Sequence, residues 1–352
     1  MRRSDKHAIA ENKLPVSVIV YTKNECYNLE KYLPSLLEQD YPSYEVIVIN
    51  DGSTDESDDV LKRFENVHKH LYHTFIPQES KYLSRRKLSL TLGVKAAKND
   101  ILLFTEANCK PLSKNWITTM VRNYTGKTDI VLGFCAYREN KSFFHKLISF
   151  DNLMVGLQYI TSALKKHPFS GNGRNLSYKK TLFFEHKGYG KSLSLHAGDD
   201  DLFVNETATP HNTCVEYSKD SIMEMATIEC FAIWKEMKVS RAATQHHYKG
   251  GQLTFFRLEK LVFFLFLSVV IGSVFAGINA NPLTPVIGIL LYILLLIIKM
   301  GILNKSAQML QQKFSFGLFP IFEIIQPLVN VYIFIYRIFR GKKDYTFTIT
   351  CK

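Results

Sequence analysis

The sequence predicts an α/β protein whose mostly parallel sheet is flanked by helices and followed by transmembrane or interfacial helices. Three observations predict this. The opening run from Pro15 to Ser53, PVSVIVYTKNECYNLEKYLPSLLEQDYPSYEVIVINDGS, has two short apolar segments, Val16–Tyr21 and Glu45–Asn50. Between them lies Leu29–Gln39, with Leu29, Leu33, Leu36 and Leu37 on one helical face. Such a βαβ unit implies parallel strands buried on both faces. Short apolar runs then alternate with helix-patterned ones as far as about Gln252. Beyond it apolar residues dominate, beginning with the uncharged, bilayer-length stretch Leu261–Ile278.

The elements follow in order. Ser53-Thr54-Asp55-Glu56 has the form of a capping box, which predicts a helix running to about Phe64. Val67–Phe75 is a weak strand whose His68, His70 and His73 read as solvated or edge-strand positions, since no paired ligand motif follows. Ser84 caps a helix through Ala97, and Ile101–Phe104 is a buried strand. Ser113 caps Lys114–Tyr124, Ile130–Phe134 is another strand, and Ser142–Ala163 is a long helix. The glycine-rich GNGRNLSY leads into a short strand, Lys179–Phe184 is a short helix, and another helix begins near Asp200.

The 352 residues divide into an N-terminal tail (1–14), an α/β domain (15–252), a helical hairpin (253–303), and a third apolar helix with a basic tail (304–352). Leu283–Leu303 pairs with Leu261–Ile278 across the short link Asn279-Ala280-Asn281-Pro282. Arg257 and Lys260 precede the hairpin, and Lys305 and Lys313 follow it. Basic flanks at both ends predict that both ends, and the large domain with them, are cytoplasmic, at the inner membrane. Gly317–Tyr336 is long enough to span. However, it carries Glu323, Gln326 and Asn330 on one face, and a span would leave Arg337, Arg340, Lys342 and Lys343 outside. An interfacial helix is the favoured expectation. The net charge of +12 fits attraction to an anionic membrane, and no nucleic-acid motif accompanies it. The scattered cysteines Cys26, Cys109, Cys135, Cys214, Cys230 and Cys351 lack zinc spacing and read as reduced thiols. MRRSDKHAIAENK has no apolar core of the signal-peptide kind.

In a parallel sheet, ligands bind at the carboxyl ends of the strands. Those ends carry Thr22, Asn24 and Glu25 after the first strand, then Asp51, Gly52 and Ser53 after the second, a polar cleft that suits a nucleotide. No GxGxxG or P-loop is present. Asp51 is either a partner for a base N–H or a turn aspartate. Glu106 and Asn108 follow the Ile101–Phe104 strand at i and i+2, either facing one hard cation or forming a polar turn. In Gly198-Asp199-Asp200-Asp201-Leu202, three carboxylates in a row raise one another's pKa. That suits a general base, and it also suits a helix N-terminus.

These residues together resemble the family 2 glycosyltransferases of GT-A fold, over roughly Val16 to Tyr248. The stretch VSVIVYTKNECYNLEKYLPSLLEQDYPSYEVIVINDGSTDES carries the resemblance most specifically. The resemblance implies an inverting, hexosyl-type transferase acting on a UDP- or GDP-sugar. Thr22, Glu25 and Asp51 would line the nucleotide pocket, with Lys87 close to the sugar-nucleotide. The family's DxD metal motif falls on Glu106-Ala107-Asn108, one charge short, which predicts weaker Mg²⁺ or Mn²⁺ binding. The base motif falls on GDDDL and places the base at Asp199, or at Asp200 if the alignment slips by one. Gly171-Asn172-Gly173-Arg174-Asn175 resembles the acceptor-side loop. The QxxRW of processive members is absent from the helix around Trp234. Lys238 and Arg241, one turn apart, either neutralise the leaving diphosphate or form a solvated basic face. The apolar helices imply a lipid-linked glycan acceptor; a non-catalytic relative that binds a glycan or a partner enzyme is the rival expectation.

Overall fold

The computed structural model describes residues 13–77, 84–193, 195–279 and 283–340. The N-terminal tail to residue 12, the hairpin tip 280–282, and the basic tail with Lys342, Lys343 and Cys351 lie outside the described residues. In chain order the first half contains β1 (Val16–Thr22), α1 (Cys26–Leu37), β2 (Tyr44–Asn50), α2 (Ser57–Val67), β3 (Leu71–Phe75), α3 (Arg85–Ala96) and β4 (Ile101–Glu106). Next come β5 (Cys109–Pro111), α4 (Trp116–Val121), β6 (Ile130–Leu132), β7 (Cys135–Tyr137), α5 (Phe143–Leu164), β8 (Leu176–Lys179) and α6 (Lys180–Glu185). The chain continues with α7 (Asp201–Thr207), β9 (Thr213–Val215), β10 (Met223–Met225), α8 (Phe231–Gln245), α9 (Gln252–Asn279), α10 (Leu283–Met309) and α11 (Phe319–Arg340).

The main sheet has the order β3-β2-β1-β4-β8-β6-β9, and a small second sheet has the order β5-β10-β7. All neighbours in the main sheet are parallel except β8, which runs antiparallel to both β4 and β6. β1 is apolar and buried along nearly its whole length, as a strand covered on both faces must be. α3 lies so close over it that a Cβ on Gly93 would come within 2.6 Å of Ile49 Cδ1 and 2.8 Å of Ile19 Cγ2. Register then sets the cleft. Thr22 pairs with Asn50 and Tyr21 with Glu106, so the polar ends of β1, β2 and β4 lie level. Because β8 runs the other way, its start rather than its end lies at that edge, with Leu176 opposite Phe104. The loop before β8 is thereby delivered to the carboxyl ends of the parallel strands.

Of the two serine caps expected, Ser84 forms, its Oγ accepting from Lys87 N at the start of α3, whereas Ser113 does not: α4 starts at Trp116 after Asn115 with no side-chain cap. Ser142 Oγ also caps, accepting from His145 N at the start of α5. The Ser53–Glu56 capping box does not form. α2 starts at Ser57 with no side-chain cap, because Ser53 Oγ accepts from Asn24 N and Asp55 from Cys26 N across the cleft edge. Cys26, Cys109, Cys135 and Cys214 are free thiols, but the expectation of reduced thiols fails at Cys230, which is disulfide-bonded.

The described residues include three helical stretches long and apolar enough to cross a membrane: Gln252–Phe275, Leu283–Met309 and Phe316–Arg340. Leu265, Val269 and Ile297 on α9 and α10 are more than half exposed. α11 differs. Its Phe319 and Phe322 are buried against Phe150 of α5, with ring centroids 6.0 and 5.7 Å away. Two of the three polar residues expected on one face turn inward: Glu323 takes Lys299 of α10, and Gln326 donates to Asp151 of α5. Asn330 is exposed. The core also runs through Leu303, Ala307 and Leu310 at the end of α10. Gln312 Oε1 accepts from Tyr137 N and Asn152 Nδ2, both at 2.9 Å. The hairpin's end is therefore packed into the α/β core.

Candidate active site

At the edge formed by β1 and β2, Asp51 is buried and already partnered. Its carboxylate accepts from Tyr21 OH at 2.8 Å and Arg85 Nε at 2.7 Å, with Lys23 Nζ at 3.6 Å. Thr22 is buried beside it, and its hydroxyl has no hydrogen-bond partner among the described residues. Glu25 precedes α1 and accepts from Asn28. Burial raises its pKa, and the charge of Glu106 adds to the rise.

Glu106, at the end of β4, is held between two guanidiniums. Arg86 Nη2 lies 2.8 Å from Oε1, and Arg174 Nε lies 3.0 Å from Oε2. Burial alone would raise the pKa of Glu106; Arg174 and Arg86 outweigh it and hold the carboxyl near 2. Arg86 also reaches Asp199, Nε to Oδ2 at 2.9 Å, and its guanidinium lies 4.6 Å from the centre of the Tyr21 ring.

The three consecutive aspartates have three different surroundings. Gly198, at φ +94°, takes the left-handed turn that leads into them. Asp199 is buried, and its pKa is raised chiefly by burial, with repulsion from Asp200 adding and Arg86 opposing. Asp200 caps α7: Oδ1 accepts from Asp201 N, and Oδ2 reaches across to Gly173 N at 2.8 Å. Asp201 accepts from Thr244 Oγ1 and Tyr248 OH on the segment after β10, and burial with Asp200 lifts its pKa to about 6. Arg86, Thr105, Gly173, Tyr178, Tyr189 and Asp199 line one pocket.

Several expected site residues lie elsewhere. Lys87 is fully buried and donates to Ser192 O at 2.5 Å, Ser192 Oγ at 3.0 Å and Leu195 O at 3.0 Å, away from the cleft. Burial lowers its pKa to about 8. Its neighbour Arg86 occupies the cleft, because successive helical residues are turned by about 100°. Asn175 is fully buried. Its amide donates to Phe134 O and Ser221 O and accepts from Trp116 Nε1, so it cannot reach an acceptor. Asn172 is also buried, with Oδ1 accepting from Arg174 N. Lys238 pairs with both oxygens of Asp151 at 2.8 Å and lies over Trp234, where it ties α8 to α5 rather than facing a diphosphate. Arg241 is half-buried; burial would lower its pKa, and Tyr248, Asp201 and Asp200 raise it.

The cation expected at Glu106 and Asn108 does not fit this donor set. To ligate it, Glu106 would have to release two guanidiniums and leave both beside a dication. Asn108 Oδ1 accepts from the Cys109 thiol at 3.3 Å, and no cluster of three His, Cys, Asp or Glu side chains suited to a metal occurs among the described residues.

Residues 17–186 match Glycosyl transferase family 2. Glycosyltransferase AglE of Haloferax volcanii is 30% identical over 122 residues, 34% of this chain and 38% of that protein. An uncharacterized glycosyltransferase of Haemophilus influenzae is 28% identical over 162 residues, 46% of each chain. The chain thus spans less than half the length of these curated relatives. Among solved structures, the mannosyltransferase PcManGT from Pyrobaculum calidifontis, in complex with GDP-Man and Mn²⁺, superposes with a TM-score of 0.57 at 16% identity. That match covers 94% of this chain and 88% of the other, and shows a shared fold. Residues 17–186, a little under half of the chain, are thus similar to the family 2 glycosyltransferases, and the chain has a GT-A fold.

Proposed function

We propose that this protein transfers a hexosyl group, with inversion, from a UDP- or GDP-sugar to a hydroxyl of a lipid-linked glycan at the cytoplasmic face of the inner membrane. The observation that carries this reading is Asp199, a buried carboxylate with a raised pKa, at the carboxyl edge of the sheet and paired with Arg86, which also holds Glu106. A carboxylate tuned upward is a better proton acceptor near neutral pH. The acceptor oxygen attacks the anomeric carbon and its proton passes to Asp199. The bond from that carbon to the diphosphate oxygen breaks, and its electron pair leaves with the nucleoside diphosphate. Asp200, by holding both Asp201 N and Gly173 N, fixes the base relative to the acceptor-side loop. Thr22, Glu25 and Asp51 form the nucleotide end. In that role Asp51 exchanges one of its present partners, Tyr21 or Arg85, for the base.

The exposed apolar faces of α9 and α10 support a membrane setting, because patches of this size on a water-soluble surface mark interaction sites. α11, held against α5 and α8, fits a helix lying in the interface. A second reading, a non-catalytic binding protein, is favoured by one observation: Arg86 closes on both Glu106 and Asp199.

The test is to incubate the detergent-solubilised chain with UDP- and GDP-sugars of defined anomeric configuration and a polyprenyl-diphosphate-linked acceptor. The product's configuration is then read by NMR. An inverted product is expected. A retained configuration overturns the mechanism, and no transfer from any donor favours the binding protein.

A further inference from the structure

The arginine pair around Glu106 goes further than a poor metal site. We infer that Arg86 and Arg174, not a divalent cation, carry the donor diphosphate, and that Arg86 couples release of the leaving group to proton uptake by Asp199. The inference rests on the nucleotide-sugar reading above.

The geometry is specific. Arg174 uses only Nε on Glu106, and Arg86 uses Nε on Asp199 and Nη2 on Glu106. The terminal amino groups of Arg174 and Nη1 of Arg86 make no hydrogen bond among the described residues. Both side chains keep a quarter or so of their surface open, 20% for Arg174 and 27% for Arg86. Planar guanidiniums with free N–H groups match phosphate oxygens in fork geometry. Glu106 alone does not cancel them: one carboxylate stands against two guanidiniums, and Asp199 balances the second only while it is ionised. A dication placed there would face two fixed cations across a few ångströms, whereas a diphosphate would meet them favourably.

The arrangement also links the two halves of the reaction. While Asp199 is ionised, Arg86 is shared between it and Glu106. As Asp199 takes the acceptor's proton it loses its charge, and its hold on Arg86 weakens. In the same step the bridging oxygen of the donor gains the electron pair of the broken bond. Arg86 is then free to turn its positive charge on the diphosphate when that charge develops, which is where electrostatic stabilisation lowers the barrier. Acceptor deprotonation and leaving-group stabilisation thus draw on one guanidinium.

The experiment is calorimetric titration of UDP and GDP into the detergent-solubilised full chain, in EDTA and in Mn²⁺. Affinity in EDTA is expected to equal that in Mn²⁺, and Arg174→Gln should weaken it at least about tenfold, the scale of one lost charge-assisted bond. Arg174→Lys should recover part of that loss, which a merely misfolded variant would not. Glu106→Gln separates the readings further. If arginines bind the diphosphate, the variant keeps its affinity in EDTA; if Glu106 holds a cation, it loses any Mn²⁺ enhancement. Binding that is absent in EDTA and restored by Mn²⁺ overturns the inference and leaves the nucleotide-sugar reading standing. Absence of binding in both conditions overturns the two together.

Discussion

The two halves of the main sheet deliver residues to one cleft by different means. From β3 to β4 the strands are parallel, and register alone sets Thr22 level with Asn50 and Tyr21 with Glu106. From β8 to β9 the strands are short and β8 is reversed, so the cleft residues arrive on loops, 171–175 and 198–201. Those loops are held by side chains: Asp200 to Gly173, Asp201 to Thr244 and Tyr248, Arg174 to Glu106. A half positioned by backbone ladders keeps its shape when one polar group is lost. A half positioned by buried polar side chains does not, because each lost partner strands another in a dry interior.

The sharpest way to break this contrast is Asn175→Ala. It removes the partner of Trp116 Nε1 and strands the carbonyls of Phe134 and Ser221, at a cost of about 4 kcal/mol, read by chemical denaturation. Next is pH. The pKa of Asp201 is raised to about 6 in the folded state, so between about 4 and 6 the folded chain binds more protons than the unfolded one. Stability from this residue is therefore greatest in acid and is lost as pH rises through that window, by up to about 3 kcal/mol. Asp201→Asn should flatten that slope in a melting series from pH 4 to 7.

In the other half, Gly93→Ala presses a methyl into Ile49 and Ile19 and should cost about 2 kcal/mol by overpacking, without moving the cleft. Ser84→Ala, which loses a cap on Lys87 N and a bond to His196 O, should cost about 1 kcal/mol in the same melts. Equal losses at Asn175 and Ser84 would remove the distinction between the halves.

The same contrast explains what could be read in the sequence. β1, β2 and β4 were legible because each is a continuous apolar run ending in polar residues, α3 because Ser84 caps it, and α5 because its helical pattern is long. β5, β7, β9 and β10, three residues each, carry too little pattern to stand out. The Ser53–Glu56 box misled because its serine and aspartate serve a neighbouring loop. At the site, Glu106, Arg174 and Asp199 do meet. Lys87 drew attention that belonged to Arg86, since only the helix phase, and not the basic run SRRK, decides which side chain faces the cleft. Asn175 sits in a loop-like GNGRN, yet its burial depends on Trp116, Phe134 and Ser221, distant partners that no local pattern reveals. Asp199 and Asp200 could not be separated by alignment, but their surroundings differ: Asp199 pairs with Arg86, while Asp200 is occupied with Asp201 N and Gly173 N.

The most direct measurement compares single-turnover sugar transfer by Asp199→Asn and Asp200→Asn at saturating donor. If Asp199 is the base, its variant should lose about 10²–10⁴-fold in rate while binding UDP or GDP as well as the parent, and Asp200→Asn, which loses the hold on Gly173 but not the base, should lose clearly less. Turnover by Asp199→Asn at the parent rate, or loss confined to Asp200→Asn, would contradict the account.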